Sequence, residues 1–465
     1  MQALFSLPLT STISMLTALF TLPDLELSQE SSVDPMGISA IWTTYGQAIF
    51  KDRLTTIAND ARVFTLNVFH HAVLRSLFEE YSDEIENALK HYSDWKSEFE
   101  MKSGLLIFME DVSTIAFSDD YDTSIAVEKN GVLGLSKWRS VKNSGDPQGY
   151  VLRASRNHGI LKRQIVMGMS GRYKNPLIEM GFFDRFYRYD HPRQLETWYQ
   201  CAPWLEAWSS VNDLRALLIN YIRSVLFVKR TKGHPFVLLR QAEHDPQFAS
   251  LLAGYRSAFG KRALHPLAQE FWLDQLGIRR GAGMAAFQSL RMHATEAGPI
   301  PYERVFREAL PLVADEPEEW IKVKSILEVA PFLSHGEFIL RFLAQRGVKK
   351  IEDHRAELEQ LRAIWKESIT FDPNPALPRL QKLTQLAQAP GDLHEWVQAL
   401  LTYHASIMQG RGGSSWVQLQ NDSTLHHFYA PSLSSQYATI ERYIERKPWL
   451  HSYYLDSLKF IQNSL

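Results

Sequence analysis

A mainly α fold, built as multi-helix domains with one or two small β elements, is what the sequence predicts, and three observations predict it. Apolar residues recur at helical spacing in several well-punctuated segments. Beyond Pro299 and Pro301 the chain reads as a run of helices separated by Gly or Pro. Only one stretch, Trp416 to Tyr429, alternates in the manner of a β-hairpin, near the C-terminus.

Taken in order, residues 1–50 are punctuated by Ser, Thr and Pro and read as extended or loosely helical. From Ser82, a capping residue followed by Asp83 and Glu84, the side chains Ile85, Ala88, Leu89, Tyr92, Trp95 and Phe99 predict an amphipathic helix. Leu105–Phe108 and Ser124–Val127 read as short strands around the acidic loop Asp119, Asp120 and Asp122. A second clear helix starts at Ser210, carries Leu214, Leu217, Leu218, Tyr221, Ile222 and Val225 on one stripe, and stops by Gly233. A helix over Ala282–His293 follows. Later helices are expected over 318–329, 335–346, 351–367, 376–388 and 392–408, then the hairpin and two short Tyr-rich helices.

At 465 residues the chain exceeds what a single core normally holds. The expected division is an acidic helical domain over 1–135, a basic helical middle over 136–298 and a helical domain with the hairpin over 299–465. One cysteine, Cys201, excludes an intramolecular disulfide and a multi-thiolate metal site built from this chain. No cofactor is expected. Before Lys51 there is no Lys or Arg, so Ala3–Leu22 lacks the positive region of a secretory signal, and no apolar run is expected to span a membrane. A reducing cytoplasm is the expected compartment.

The net charge of −2 conceals a segregation. Residues 1–135 carry 8 Lys and Arg against 20 Asp and Glu, residues 136–291 carry 24 against 11, and residues 292–465 carry 18 against 21. The middle block attracts polyanions through a field screened only beyond about 8–10 Å, or docks on the acidic first third or an acidic partner.

Within that block, Gln164–Lys174 holds Gly168 and Gly171 among Arg153, Arg156, Lys162, Arg163, Arg172 and Lys174, a pattern that suits an ordinary turn with solvated charges or backbone approach to a phosphate, loosely like a KH-domain Gly-x-x-Gly loop. Lys174, where that motif wants an apolar helix residue, and Pro176 count against the KH likeness, and the absence of a Gly-Lys-Ser/Thr ending separates the segment from a P-loop. A second basic group runs from Lys229 through Arg230, Lys232, His234 and Arg240 to Arg256, Lys261 and Arg262, with Arg279 and Arg280 in a Gly-containing turn before the 282–293 helix. Sequence-independent contact with DNA backbone is the expected use of both groups. Phe182, Phe183, Phe186, Tyr187 and Tyr189, interleaved with Arg185 and Arg188, suit core packing or base stacking.

Catalytic signatures are sparse. Glu110 and Asp111 with Asp119, Asp120 and Asp122 are the best catalytic candidates, carboxylates that form a solvated loop or hold magnesium for phosphodiester hydrolysis. His70-His71 and His426-His427 suit packing or surface roles. His404 falls on the apolar stripe of Leu393, Trp396, Val397, Leu400, Leu401 and Met408, and Glu357 lies on the Leu358, Leu361 and Trp365 side of its helix. A Glu357–His404 pair would fix helix register or, in a cleft, serve as acid and base.

The helical C-terminal part, with a Glu, a downstream His and a basic surface elsewhere, resembles the EH-signature proteins, named for those two residues. One member is the DNA-binding helical component of the Zorya anti-phage defence system. The resemblance covers at most residues 300–465 and rests on Glu357, or Glu359 or Glu367, with His404. It implies an accessory defence protein that binds DNA and works with a membrane motor and a separate nuclease. The leading expectation, from the basic middle block and the missing catalytic signatures, is a non-enzymatic DNA- or RNA-binding component of a larger assembly, with other protein subunits as partners. A metal-dependent nuclease and a protein scaffold with a basic docking face are the alternatives.

Overall fold

The computed structural model describes residues 34–118, 133–143, 149–228, 234–242, 244–260, 263–294, 296, 298, 300–434 and 439–465. The described chain is mainly helical, with two small antiparallel two-stranded sheets: β1 (Val151–Arg153) with β2 (Phe236–Leu238), and β3 (Val417–Leu419) with β4 (Leu425–His427). The second sheet is the hairpin that the sequence predicts. The first has no sequence signal, because its strands are three residues each and lie far apart in the chain.

Two compact units are distinguished. Of the described residues, the larger comprises those within 42–336, 361–372 and 433–465, the smaller those within 34–41, 337–360 and 373–432. Neither has a boundary at 135/136 or 298/299, where the sequence suggests domain ends. The physical reason lies in the larger unit's core, which takes side chains from the acidic and basic thirds alike: Phe108 stacks on Tyr221, Phe117 meets Tyr255 edge-on, and Trp95 meets Phe227.

That core is organised by two long helices. Ala61–Glu80 starts at Asp60, whose carboxylate accepts from the Arg62 and Val63 amides and pairs with the Arg62 guanidinium at 2.7 Å. Glu98–Ser118 is buried from Met101 to its end, so it has no polar face and no helical period to read. For this reason Leu105–Phe108, expected as a strand, is helical; Ser124–Val127 lies outside the described residues. The 82–99 helix divides into Ser82–His91, a turn at Tyr92, and the start of Glu98–Ser118. Gly104 has a structural purpose: a Cβ there would strike the Ala154 carbonyl just beyond β1, and Trp95 Nε1 donates to that carbonyl at 2.8 Å.

The second predicted helix is observed as Ser209–Tyr221, continued by a π-helical turn over Ile222–Leu226. Beyond residue 300, the expected pair 318–329 and 335–346 is a single helix, Pro317–Leu343. Pro331 removes one ladder donor without ending it, since Ala330, Phe332 and Leu333 are all buried and their packing outweighs the lost bond. In the smaller unit Leu393–Gly410 opens with a capping box between Asp392 and Glu395. Among the described residues no helix is long and apolar enough to cross a membrane.

Candidate nucleic-acid interface

The segment from Tyr150 to Tyr189 has an inner and an outer side. Its inner side closes over Glu110 and Asp111, which sit in the middle of the Glu98–Ser118 helix and are 2% and 1% exposed. Glu110 accepts from the Ser170 amide at 2.5 Å and from Gln164 Nε2 at 2.6 Å. A Cβ on Gly168 would fall on the Glu110 carboxylate and on Gln164. This glycine therefore admits a buried carboxylate of the same chain, and a Cβ on Gly171 would strike the Val166 carbonyl, so the close approaches at both glycines are internal, as in the ordinary-turn reading of this segment. Asp111 accepts from the Ile160 amide at 3.1 Å and from the Tyr150 hydroxyl at 3.2 Å. Burial, aided by the neighbouring Glu110, pushes its pKa up to about 8. Burial also raises Glu110, against the hydrogen bonds it accepts.

Beside these lie His70 and His71, fully buried on the Ala61–Glu80 helix. His70 Nε2 is 2.9 Å from the Tyr255 hydroxyl, and His71 Nδ1 is 2.9 Å from that of Tyr189. Burial holds His70 at about 3. These imidazoles are neutral packing groups, as the sequence suggests, and Glu110 and Asp111 are occupied by internal donors. Asp119, Asp120 and Asp122 lie outside the described residues, and among the described residues no group of three His, Cys, Asp or Glu is placed to hold a metal.

The outer side carries charge. A pocket of about 470 Å³ is lined by Tyr150, Val151, Arg153, Asn157, His158, Gly159, Leu161, Lys162 and Arg163. Gly159 at φ +142° and Arg163 at φ +61° turn the backbone so that Lys162 and Arg163 stand exposed at its edge. At its floor Arg153 is held by Asp94, with Nε to Oδ2 at 2.7 Å and Nη2 to Oδ1 at 2.9 Å. His234 Nδ1 lies 2.9 Å from Asp94 Oδ1, and Arg153 Nη1 lies 3.3 Å from His158 Nε2. Burial would raise the Asp94 carboxyl, but the hydrogen bonds from Arg153 and His234 outweigh it and hold the group below its usual range. Burial and then the Arg153 charge lower His158. Arg153 thus spends its charge on a carboxylate, whereas Arg156, Lys162 and Arg163 meet no carboxylate among the described residues.

From the same loop Arg156 reaches over the Phe99 ring at 5.3 Å. Lys174 lies over Phe99 at 5.3 Å and over Tyr187 at 4.3 Å, and its Nζ donates to the Arg185 carbonyl at 2.9 Å. Burial, and then the nearby Arg156, lower Lys174 to about 8. Phe182, Phe183, Tyr187 and Tyr189 are core residues; Phe186 is 44% exposed, with Arg185 at 4.7 Å and Arg188 at 5.5 Å from its ring centre. Sequence reasoning finds the cations, and His234 as part of the second basic group, but misses Asp94, Asn157 and His158. Asp94 and Arg153 are 59 residues apart, and nothing in their local spacing announces the pair.

Other predicted residues are placed differently. Arg172 donates to the Met167 carbonyl at 3.0 Å, closing its own turn. Arg279 is paired with Glu270 and faces Asp274. Arg280 precedes the Gly281–Met292 helix, and its charge, with that of Arg193, adds to burial in lowering Arg53. Lys229, Arg230, Lys232 and Arg262 lie outside the described residues. Glu357 and His404 do not form the expected pair. His404 is buried, its Nδ1 donates to the Pro35 carbonyl at 2.8 Å and its Nε2 accepts from the Trp416 amide at 2.8 Å, so both nitrogens are committed to backbone. Burial lowers its pKa, consistent with a neutral ring that ties helix, hairpin and residue 35 together within the smaller unit.

No protein-family model matches the chain, and no curated protein and no solved structure is similar to it.

Proposed function

We propose that this protein is a nucleic-acid-binding component of a larger assembly, the role that the EH-signature resemblance implies, and that it binds phosphate backbone through the outer side of residues 150–188. The observation that carries this reading is a run of cations that no described carboxylate neutralises, Lys162 and Arg163 at the pocket edge and Arg156 over Phe99, continued by Lys174. Unpaired surface cations lose little on meeting a phosphate, whereas Arg153 and Arg279 would first have to give up a carboxylate. The alternative in which basic residues dock on the acidic first third accounts for Arg153 with Asp94 and for Arg223 with Glu84, and it leaves the 156–174 cations unused.

Fluorescence anisotropy with labelled oligonucleotides tests the reading. Affinity is expected to fall steeply between about 50 and 200 mM salt. The double variant Lys162→Glu/Arg163→Glu is expected to weaken binding at least tenfold and to flatten the salt slope by about 2, while stability stays within about 0.5 kcal/mol. Unchanged affinity in this variant would sink the proposal.

A further inference from the structure

We infer that the ligand at this surface is single-stranded nucleic acid, one of whose bases stacks at Phe186. The inference rests on the backbone-binding reading above and adds a choice between strand and duplex.

Phe186 sits at the tip of a tight turn whose shape is set from below. Asp184 Oδ1 accepts from the amides of Phe186 at 2.8 Å and Arg188 at 3.0 Å, and Tyr187 adopts φ +58°. The Tyr187 ring, 1% exposed, stacks on Phe99 at 5.5 Å and 23° and meets Phe183 edge-on. Lys174 fastens the Arg185 carbonyl from the side. The turn is therefore anchored by its buried tyrosine, and the neighbouring phenylalanine is left projecting. A large apolar ring left 44% exposed at the tip of so well-fixed a turn, set perpendicular to Phe99 at 6.1 Å and 84°, suits a planar partner.

The partner's chemistry follows from the ring's neighbours. Arg188 is held at the ring by Asp184 at 2.6 Å, and Arg185 has no carboxylate partner among the described residues. A nucleobase meets an aromatic face and a guanidinium plane together, while Arg185, Arg156 and Lys174 supply cations for the adjoining phosphates. In a duplex the bases are already stacked on each other and offer no free face, so Phe186 would gain nothing there. Base stacking on an aromatic is also tolerant of sequence.

The test uses the full-length chain, a short labelled oligo(dT) and a duplex of equal length, at one salt concentration. Oligo(dT) is expected to bind more tightly than the duplex. Phe186→Ala is expected to weaken oligo(dT) binding roughly 5- to 100-fold and to leave duplex binding within about twofold, with Phe186→Trp retaining affinity for the strand. Tighter binding of the duplex, or an unchanged affinity of Phe186→Ala for oligo(dT), would overturn the inference. If Lys162→Glu/Arg163→Glu still weakens binding at least tenfold in that case, the backbone reading stands without it; if neither variant matters, both fail. Because Phe186 is exposed, circular dichroism of each variant is expected to match the parent, and a variant that loses helix signal is replaced by Arg185→Ala, for which the same loss of strand preference is expected.

Discussion

The two sides of residues 150–189 handle polar groups in opposite ways. On the inner side the carboxylates and imidazoles are made neutral or given internal partners: Asp111 is pushed toward its protonated form, His70 is held neutral, and Glu110 takes two donors from the segment that covers it. On the outer side cations crowd together over aromatic rings, with Lys174 lowered by burial and by Arg156 against the opposing pull of Asp184. Self-satisfied polar groups specify a fold, because each would be costly if stranded. Charges left without counter-ions on a surface do nothing for stability and attract something else. The same stretch of chain thus serves as a lid on the core and as a field at the surface, and these uses can be separated experimentally.

The sharpest separation comes from Glu110→Ala. It strands the Ser170 amide and the Gln164 side chain in the interior and leaves a cavity, and it is expected to destabilise the larger unit by about 3–5 kcal/mol. Gly168→Ala, which would press a methyl group into that carboxylate, is expected to cost about 1–3 kcal/mol. Urea unfolding followed by circular dichroism measures both. An unfolding midpoint unmoved by Glu110→Ala would show that the inner side is not the anchor described above.

Reading the sequence captures this contrast unevenly, for definite reasons. Helices with one wet face, such as Ser82–His91 and Leu393–Gly410, announce themselves by spacing and caps. Glu98–Ser118 does not, since burial on all sides erases its period and leaves four apolar residues that resemble a strand. The hairpin at 417–427 is legible because its strands adjoin; β1 and β2 pair across more than eighty intervening residues and are not. In the candidate site the cations are visible as composition, but which of them are free depends on Asp94, Glu270 and Asp274, whose approach is tertiary. Glu110 and Asp111 within a long apolar run are themselves a signal, since two carboxylates there must find buried partners. Gly168 is the partner that lets one of them in.

A second way to sharpen the contrast uses pH. An unfolded chain ionises Asp111 near 3.8, while the folded chain holds its proton up to about 8. Between those values the folded state binds more protons, so the stability contributed by the neutral acid is whole below about pH 4 and is lost as pH rises through about 8. Asp111→Asn carries no titrating proton yet keeps an acceptor for the Ile160 amide. Urea midpoints across pH 4–8 are expected to fall less steeply in the variant than in the parent. Parallel slopes would mean that Asp111 is ionised in the folded protein throughout.

The smallest effect is expected at Asp94, where the two sides meet. Its carboxylate is mostly buried and it neutralises Arg153 at the floor of the basic pocket, so it belongs to the fold by its hydrogen bonds and to the surface by its charge. Asp94→Asn keeps the shape but gives up charge-assisted bonds, for an expected loss of about 1–2 kcal/mol. It also releases the Arg153 charge into the pocket, so oligonucleotide affinity is expected to rise several-fold at low salt even as stability drops. Stability and affinity moving in opposite directions on one substitution is what separates a charge held back by the fold from a charge irrelevant to binding. If affinity in anisotropy titrations falls or stays level while the variant remains folded, Arg153 faces no ligand, and the binding surface has to be drawn through Arg156, Lys162 and Arg163 without it.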